Sequence, residues 1–492
     1  MKKTICAFML AVCLLAPAWA QGESDNGKSG NIGKAEQSMQ SIGSRKAEAM
    51  QKGVQEFRIP SVGKEISRRV LSNGIVLYMY RENTLPIVNM WIQVKGGYLR
   101  SPQAKLAEFS SSLMRRGGTR SHSAEELDKL LEVNAISLQS QSAAEDDSLK
   151  IMCLPDKLPL ALSLCAEMIE EPAFDENQLS IIRDASLERL RRRNDDPGNI
   201  AGREYGHLIY GDDRLGHITT KEDVLGITSE DIKKWHKLVW TPDRAYIAAA
   251  GDFDEEELVS LLEKSFASWK SNGTELPEIC ELGEKAEPGL YIADKDVNQS
   301  TVKIGGLGLK RGDPDSAAGE VMNYILGGGS FSSRLVDKVR TQEGLAYSIN
   351  SRLEQFSPRM GLSTVTFQTK AASTREATEF SLAEIARLRK EPVSAKELDS
   401  AKESLLNSMI FLFENPFDAV CNIMVLELKQ MPLDYFDKRM KGIRAVTDAD
   451  VMRAAQRFLH EDDAIIVVVG NKSVFSDWLH EKNARHLDLE LP

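Results

Sequence analysis

The chain has 492 residues, of which 42% are hydrophobic and 27% are charged, a composition typical of globular proteins rather than disordered or fibrous ones. At roughly 100–200 residues per domain, this length predicts two to four domains. The formal net charge of −11 means that acidic residues outnumber basic ones, so the chain has no excess of positive charge for binding phosphates. This argues against a dedicated nucleic-acid-binding protein.

The first twenty residues have the order of a secretory signal peptide. Lys2 and Lys3 precede an apolar run over residues 5–15, and the small residues Ala18 and Ala20 follow. We therefore expect cleavage after Ala20 and a periplasmic or otherwise exported protein. No later stretch of about 20 uninterrupted apolar residues occurs, so we expect no transmembrane segment after cleavage.

Four cysteines lie beyond this segment, at Cys153, Cys165, Cys280 and Cys421. Their spacing contains no Cys-x-x-Cys pair for zinc or redox chemistry, and a chain of this size needs no disulfide staples. We expect buried thiols. Cys153 ends a strand-like run and Cys165 lies in a helical pattern, and the sequence leaves open whether the two are bonded.

Most of the chain is one unit present twice at a constant offset. The segment 227–251 has a helix start, a helix and an apolar strand ending in Gly251, and the same order ends in Gly470, 219 residues later. The same offset pairs Leu179 with Leu398 and Pro197 with Pro416. A register held over some seventy residues indicates an internal duplication.

Each copy is predicted to contain strands followed by helices. The predicted strands are Gly74–Tyr80 and Ile87–Lys95 in the first copy and Gly289–Asp294 and Ser300–Gly305 in the second. The predicted helices of the first copy are Gln103–Arg116, Ala124–Glu132 and Glu176–Arg193. Because strands and helices are mixed rather than strictly alternating, the pattern favours an α+β layered fold.

The two copies also predict the domain boundaries. Residues 21–60 are polar and almost free of aromatic side chains, so we expect a flexible tether there. The N-terminal domain is predicted at 61–270 and the C-terminal domain at 287–482. The segment 271–286 between them is rich in Gly and Pro and is predicted to be the linker.

A glycine-rich turn and the segment after it resemble a known family. The run Gly327-Gly328-Gly329-Ser330-Phe331 is followed by Arg340 and then by Tyr347. In a duplicated, exported α+β chain, this pattern resembles the pitrilysin/insulinase zinc peptidase family, especially its mitochondrial-processing-peptidase-like bacterial branch. The resemblance extends over about residues 65–480. It implies two homologous layered α/β-sandwich domains in tandem, which form half of a clamshell chamber.

Active members of that family carry His-x-x-Glu-His on the first long helix, where two imidazoles one turn apart bind zinc and the Glu activates water. In this sequence Glu108 and Ser112 occupy the two His positions, and Ser111 occupies the Glu position. The downstream ligand position falls on Arg189, with Glu188 one residue away. Two serines and an arginine cannot assemble a zinc site, so we expect this chain to bind no metal.

The resemblance also implies a role for the second copy. In the family, the C-terminal half or a partner subunit offers an Arg and a Tyr to the substrate, and Arg340 and Tyr347 match that pair. An Arg donates to a carbonyl oxygen, and a Tyr hydroxyl stabilises a developing oxyanion. The alternative is a solvated Arg340 and a Tyr347 that fills the core.

The three glycines have two interpretations of their own. Gly327, Gly328 and Gly329 follow a helical pattern over residues 316–326. They either cap that helix through positive φ or form a flexible loop that touches an incoming peptide, as the resemblance implies.

The sequence therefore predicts a non-catalytic, substrate-binding subunit of a heterodimeric, exported zinc metallopeptidase that acts on peptides or unfolded segments. A zinc-bearing paralogous subunit would be the partner, and no activity is expected from this chain alone. The alternative is a catalytically inert scaffold or binding protein of the same fold. The two differ at Arg340 and Tyr347, because a scaffold has no use for that pair.

Overall fold

The computed structural model describes residues 58–279, 286–356 and 359–489. The predicted signal peptide, most of the predicted tether and Cys280 lie outside the described residues. From Ile59 onward the chain forms one unit that contains both copies of the repeat.

The strands of the first copy are β1 Ser67–Val70, β2 Val76–Arg81, β3 Val88–Lys95, β4 Ser137–Ser142, β5 Asp146–Cys153 and β6 Ala245–Gly251. Its helices are α1 Leu106–Arg116, α2 Ala124–Val133, α3 Leu158–Glu170, α4 Glu176–Arg191, α5 Pro197–Tyr210, α6 Lys221–Leu225, α7 Ser229–Val239 and α8 Glu255–Ser265. Helix α1 begins three residues later than predicted, because Lys105 adopts a left-handed φ of 66°.

The strands of the second copy are β7 Gly289–Asp294, β8 Gln299–Lys310, β9 Ala346–Leu353, β10 Gln355–Phe356, β11 Met360–Lys370, β12 Ile465–Gly470 and β13 Arg485–His486. Its helices are α9 Ser316–Asn323, α10 Thr374–Lys390, α11 Ala395–Ser408, α12 Pro416–Leu428, α13 Tyr435–Ala445, α14 Asp448–Phe458 and α15 Ser476–Glu481. In the described part of the chain, no single helix is long and apolar enough to cross a membrane. Together, α11 with the turn after it and α12 pass that test, but they meet at a bend of 103°.

The two copies have the same strand order. The first sheet contains β2-β6-β3-β5-β4 with β1 added at the β2 edge, and the second contains β7-β12-β8-β11-β9 with β13 added at the β7 edge. In each sheet the first of these pairs is parallel and the following three are antiparallel. The α+β class and the duplicated layered domains predicted from the sequence are confirmed.

The repeat extends to individual hydrogen bonds. Thr228 precedes α7 and forms a capping box, in which its hydroxyl accepts from the Asp231 amide and the Asp231 carboxylate accepts from the Thr228 amide. Thr447 and Asp450 make the same pair of bonds at the start of α14. Each box satisfies amide groups that the first turn of a helix leaves unpaired.

The copies are joined by an exchange of one helix each. Helix α5 of the first copy packs on β12 and β8 of the second sheet, and α12 of the second copy packs on β6 and β2 of the first sheet. Both helices begin with a proline, Pro197 and Pro416, whose missing amide is harmless at a first helical position. Each sheet is therefore covered on one face by a helix from the other copy.

The contacts of α5 are apolar, with hydrogen bonds at its tyrosines. Ile200 and Tyr205 are buried in a cluster with residues of β7 and β12. The Tyr205 hydroxyl donates to the carbonyl oxygen of Ser363 at 2.8 Å, and the Tyr210 hydroxyl donates to that of Met360 at 3.0 Å. Burial raises the pKa of Tyr205, so this phenol stays protonated and remains a donor.

The contacts of α12 end in a charged cluster. The Glu427 carboxylate accepts from Arg68 Nε at 2.8 Å and from Arg68 Nη2 at 2.7 Å, and it also accepts from the Tyr78 hydroxyl. Just after the helix, the Lys429 ammonium pairs with Asp146. The hydrogen bond from Arg68 is the main reason that the pKa of Glu427 lies below its ordinary value.

Cys153, Cys165 and Cys421 are free and buried, which confirms the expected buried thiols and shows no Cys153–Cys165 bond. Burial raises the pKa of Cys153 to about 11 and that of Cys421 to about 12. Thiols with such raised pKa values carry almost no thiolate at neutral pH and are chemically inert.

We predict that Glu427→Gln lowers the free energy of unfolding by about 1–2 kcal/mol at pH 7, because it removes a charge-assisted pair at a partly exposed site. Because the pKa of Glu427 is lowered in the folded state, the pair contributes its full stability at pH values above the ordinary pKa of a glutamate. This contribution is lost as the pH falls through the pKa of Glu427 in the folded state. Denaturant unfolding at pH 7 and pH 3 measures both effects. Exposed Glu403→Gln is the control, and an equal effect there would contradict the assignment.

Candidate functional site

Four predicted site residues line one cavity of about 1150 Å³ in the first copy. Glu108, Ser111 and Ser112 come from α1, and Arg189 comes from α4, which packs beside it. The family motif predicted that these positions belong to one site. The structure places them around one cavity, although α1 and Arg189 are some eighty residues apart in the sequence.

The side chains at these positions do not fit a zinc ion. The Glu108 carboxylate already pairs with the Lys105 ammonium at 2.6 Å, Ser111 is 2% exposed, and Arg189 brings a positive charge. Glu188 pairs with Arg191 and Arg192 and does not line the cavity. Across the described ranges, no three His, Cys, Asp or Glu side chains are grouped so that they could hold a metal ion.

One wall of the cavity is β4, the outermost strand of the first sheet. Residues 138–142 of this strand line the cavity, and the Ser140 hydroxyl donates to the carbonyl oxygen of Ser111 at 2.6 Å. Near the start of β4, the Arg115 side chain donates to the carbonyl oxygen of Leu138 at 2.8 Å, which also holds the strand beside α1. An edge strand has backbone groups that can pair with another extended chain.

The glycine-rich segment differs from its predicted form. After α9 the chain continues as a wider π-helical turn over Tyr324–Gly328, so Gly327 and Gly328 lie inside a helical turn. None of the three glycines has a positive φ, and the residue that does is Ser330, at 53°. The interpretation as a helix cap through positive φ is therefore wrong.

Close packing explains the glycines instead. A Cβ on Gly327 would lie 2.6 Å from the Ser351 amide nitrogen. A Cβ on Gly328 or Gly329 would lie 2.7 or 2.6 Å from side-chain atoms of the preceding turn. A side chain at Gly327 would push the turn away from Ser351 on β9, and side chains at Gly328 or Gly329 would clash within the turn itself.

Arg340 and Tyr347 come together in the second copy. Arg340 lies in a second π-helical segment, Val336–Gln342, and Tyr347 lies on β9 at the edge of the second sheet. The guanidinium carbon of Arg340 is 5.5 Å from the centre of the Tyr347 ring and 4.8 Å from the centre of the Phe331 ring. Such separations are typical of cation–π contacts.

This cluster is open to solvent. Tyr347 is 85% exposed and Phe331 is 72% exposed, so the interpretation of Tyr347 as a core residue is wrong. In the portion of the chain that the structure describes, Arg340 makes ring contacts but no hydrogen bond or ion pair. Its guanidinium donors therefore remain available for a ligand.

Arg340 and Tyr347 line a cavity of about 420 Å³. This cavity shares Gln299 and Gln368 with an adjoining one of about 470 Å³ at Pro197, the start of the exchanged helix α5. It shares no lining residue with the α1 cavity. Sequence reasoning did not single out Phe331; an aromatic residue directly after a glycine-rich turn was the available signal.

Two family descriptions match the chain. Residues 77–219 match "Insulinase (Peptidase family M16)", and residues 226–405 match "Peptidase M16 inactive domain". The chain belongs to the insulinase (M16) family. The resemblance inferred from the glycine-rich turn and the Arg340–Tyr347 segment is confirmed.

Relatives in this family have two kinds of name. An uncharacterized zinc protease of Mycobacterium tuberculosis is 26% identical over 379 residues, which cover 76% of this chain and 85% of the relative. The non-peptidase homolog YmxG of Helicobacter pylori is 25% identical over 417 residues, which cover 83% and 94%. With the unsuitable donors on α1 and α4, these matches support an inactive M16 homologue.

Solved structures share the fold. A peptidase M16 inactive domain from Pseudomonas fluorescens superposes with a TM-score of 0.73 at 22% identity, over 82% of this chain and 98% of that one. The periplasmic protease PqqL from Escherichia coli gives a TM-score of 0.71 at 16% identity, over 85% of this chain and 47% of PqqL. This chain therefore corresponds to about half of PqqL.

We predict that the purified chain carries far less than one zinc ion per molecule and that a chelator leaves its thermal midpoint unchanged. The donors at the metal positions are hydroxyls, a guanidinium and a carboxylate already paired with Lys105. Elemental analysis and calorimetry measure the two quantities. Stoichiometric zinc with a chelator-sensitive midpoint would contradict this account, because a bound ligand stabilises the folded state.

Proposed function

We propose that this chain is the non-catalytic, substrate-binding subunit of a heterodimeric, exported zinc metallopeptidase that cleaves peptides or unfolded segments. The observation that carries the proposal is Arg340, which contacts the Phe331 and Tyr347 rings and makes no hydrogen bond or ion pair among the described residues. A buried or ion-paired arginine would not support such a role.

The chemistry of this cluster suits a polarised carbonyl group. Contact with two rings restricts the Arg340 guanidinium without using its hydrogen-bond donors, so less conformational freedom is lost when it binds a carbonyl oxygen. The exposed Tyr347 hydroxyl adds a donor on the same cavity. Donors placed in advance where negative charge develops lower the barrier to attack on an amide.

The other half of the reaction belongs to the partner. Zinc held by a paralogous subunit would supply the activated water, since the positions on α1 and α4 of this chain do not suit a metal. Correspondence to 47% of PqqL supports the need for a second chain of similar size. Two such halves would enclose a chamber that admits peptides and unfolded segments and excludes folded proteins.

Further proposals concern location and domain limits. The signal-like residues 1–20 support export, and the structurally similar PqqL is described as periplasmic. We infer domains at 61–270 and 287–482, because α8 ends at Ser265 and β7 begins at Gly289. Strand β13 extends the second sheet slightly beyond residue 482.

An inert scaffold or binding protein of the same fold is the second candidate. The name of the Helicobacter pylori relative, a non-peptidase homolog, favours it. A scaffold needs neither an exposed Tyr347 nor an Arg340 that lacks partners among the described residues, so substitutions there distinguish the two functions.

We predict that Arg340→Ala lowers peptide turnover by this chain mixed with a zinc-bearing paralogue from the same source by about 100-fold or more, with assembly unchanged. Tyr347→Phe, which keeps the ring contact and removes the hydroxyl, should lower turnover by about tenfold or more. Arg352→Ala, at an exposed position on the same strand as Tyr347, is the matched control. Unchanged turnover by Arg340→Ala in a stable complex would remove the proposed role.

A further inference from the structure

We propose that the cavity beside α1, whose side chains do not suit a metal, binds a carboxylate group of a peptide through Arg116 and Arg189. The ligand class rests on the proposed function, which makes peptides the occupants of the chamber. The site itself rests on the charges, the unpaired side chains and the shape of this cavity.

Two of the four positively charged residues that line the cavity form no ion pair among the described residues. Its positively charged residues are Lys105, Arg115, Arg116 and Arg189, and its negatively charged residues are Glu108, Glu125 and Asp128. Lys105 pairs with Glu108 at 2.6 Å, and Arg115 pairs with Asp128 at 2.7 Å. Arg116 and Arg189 have no ion pair or hydrogen bond among the described residues. Even if the charge of Glu125 is set against one of them, the lining keeps one net positive charge.

The two arginines approach the cavity from different helices. Arg116 lies one turn after Ser112 on α1, and positions four apart share a helix face. Arg189 lies on the face of α4 that also presents Gln178 and Ile182 to the cavity. Guanidinium groups supplied from two helices can bind the two oxygens of one carboxylate, a geometry that a lysine ammonium does not reproduce.

A third group beside them lacks a partner. Ser111 lines the cavity, is 2% exposed, and its hydroxyl has no hydrogen-bond partner within the described ranges. A buried hydroxyl without a partner costs free energy unless a ligand or water satisfies it. Ser111 thus adds to the wall that also contains Ser112 and Arg189 a polar group that a ligand or water can satisfy.

The shape of the cavity favours a peptide over a small ion. Its volume of about 1150 Å³ is slightly larger than that of ordinary small-molecule sites, and the edge strand β4 lies along one wall. An extended peptide can pair with the backbone of β4 while its carboxylate reaches the arginines. The net charge of −11 disfavours a polyanion such as nucleic acid.

The test is fluorescence anisotropy with the purified full-length chain, without any partner, and three labelled peptides of one unstructured sequence. The first has a free C-terminal carboxylate, the second an amidated C-terminus, and the third an amidated C-terminus with one internal Glu. The variants are Arg189→Ala and Arg116→Ala. Arg191→Ala is the matched control, since Arg191 ends the same helix, is 79% exposed and does not line the cavity.

We expect the free-acid peptide to bind and amidation to weaken binding by about tenfold or more, the size expected for charge-assisted hydrogen bonds. Each cavity variant should remove this preference, and Arg191→Ala should keep it. The peptide with an internal Glu shows which carboxylates the site accepts. If it binds and Arg189→Ala abolishes this binding, the site accepts side-chain carboxylates as well as the C-terminal one, and the inference is supported.

Equal binding of free-acid and amidated peptides, an equal effect of Arg191→Ala, or no binding of any peptide up to millimolar concentration would overturn the inference. Circular dichroism and the thermal midpoint show whether a variant is folded, and the second cavity variant gives an independent reading. Because no partner is present, failure here leaves the dependence of cleavage on Arg340 untouched. The site and the proposed function can therefore fail separately.

Discussion

The exchange of α5 and α12 between the two copies is the constraint on which the rest of the structure depends. Each helix buries its apolar face on the sheet of the other copy, so separating the copies would expose both helix faces and both sheet faces to water. The hydroxyls of Tyr205 and Tyr210 and the carboxylate of Glu427 add directional bonds to this burial. The two copies thus form one unit that carries both candidate sites.

Within this unit, one candidate site lacks side chains that suit a metal, and the other has donors that are open to a ligand. The α1 cavity has a volume of about 1150 Å³, but Ser111, Ser112 and Arg189 lie at positions where a metal would need His or carboxylate ligands. The second copy presents Arg340 in contact with two exposed rings. The division of labour between subunits that we propose would account for both facts, because hydrolysis needs an activated water and separately placed donors for the oxyanion.

Much of the fold could be predicted because the internal duplication is detectable in the sequence. The constant offset between Gly251 and Gly470 implied equivalent strands, and the capping boxes at Thr228 and Thr447 show that local hydrogen bonds repeat as well. The helix exchange was not predictable. Periodicity shows which face of a helix is buried, whereas the sheet that covers this face is decided by tertiary packing.

The candidate sites were predictable only to the extent that a family motif fixes the register of residues. Placement of Glu108, Ser111, Ser112 and Arg189 around one cavity follows that register. The stacking of Phe331 on Arg340 and the π-helical turns around the glycines depend on backbone geometry that composition does not specify. That Arg116 and Arg189 have no partner among the described residues is likewise visible only in the folded structure.

The most direct test of the central claim is cleavage of an unstructured fluorogenic peptide by this chain, by a zinc-bearing paralogue from the same source, and by their mixture. Each sample is measured with and without a chelator. The account predicts cleavage only in the mixture and its loss with the chelator. Cleavage by this chain alone, or no cleavage by a mixture that forms a stable complex, would contradict it.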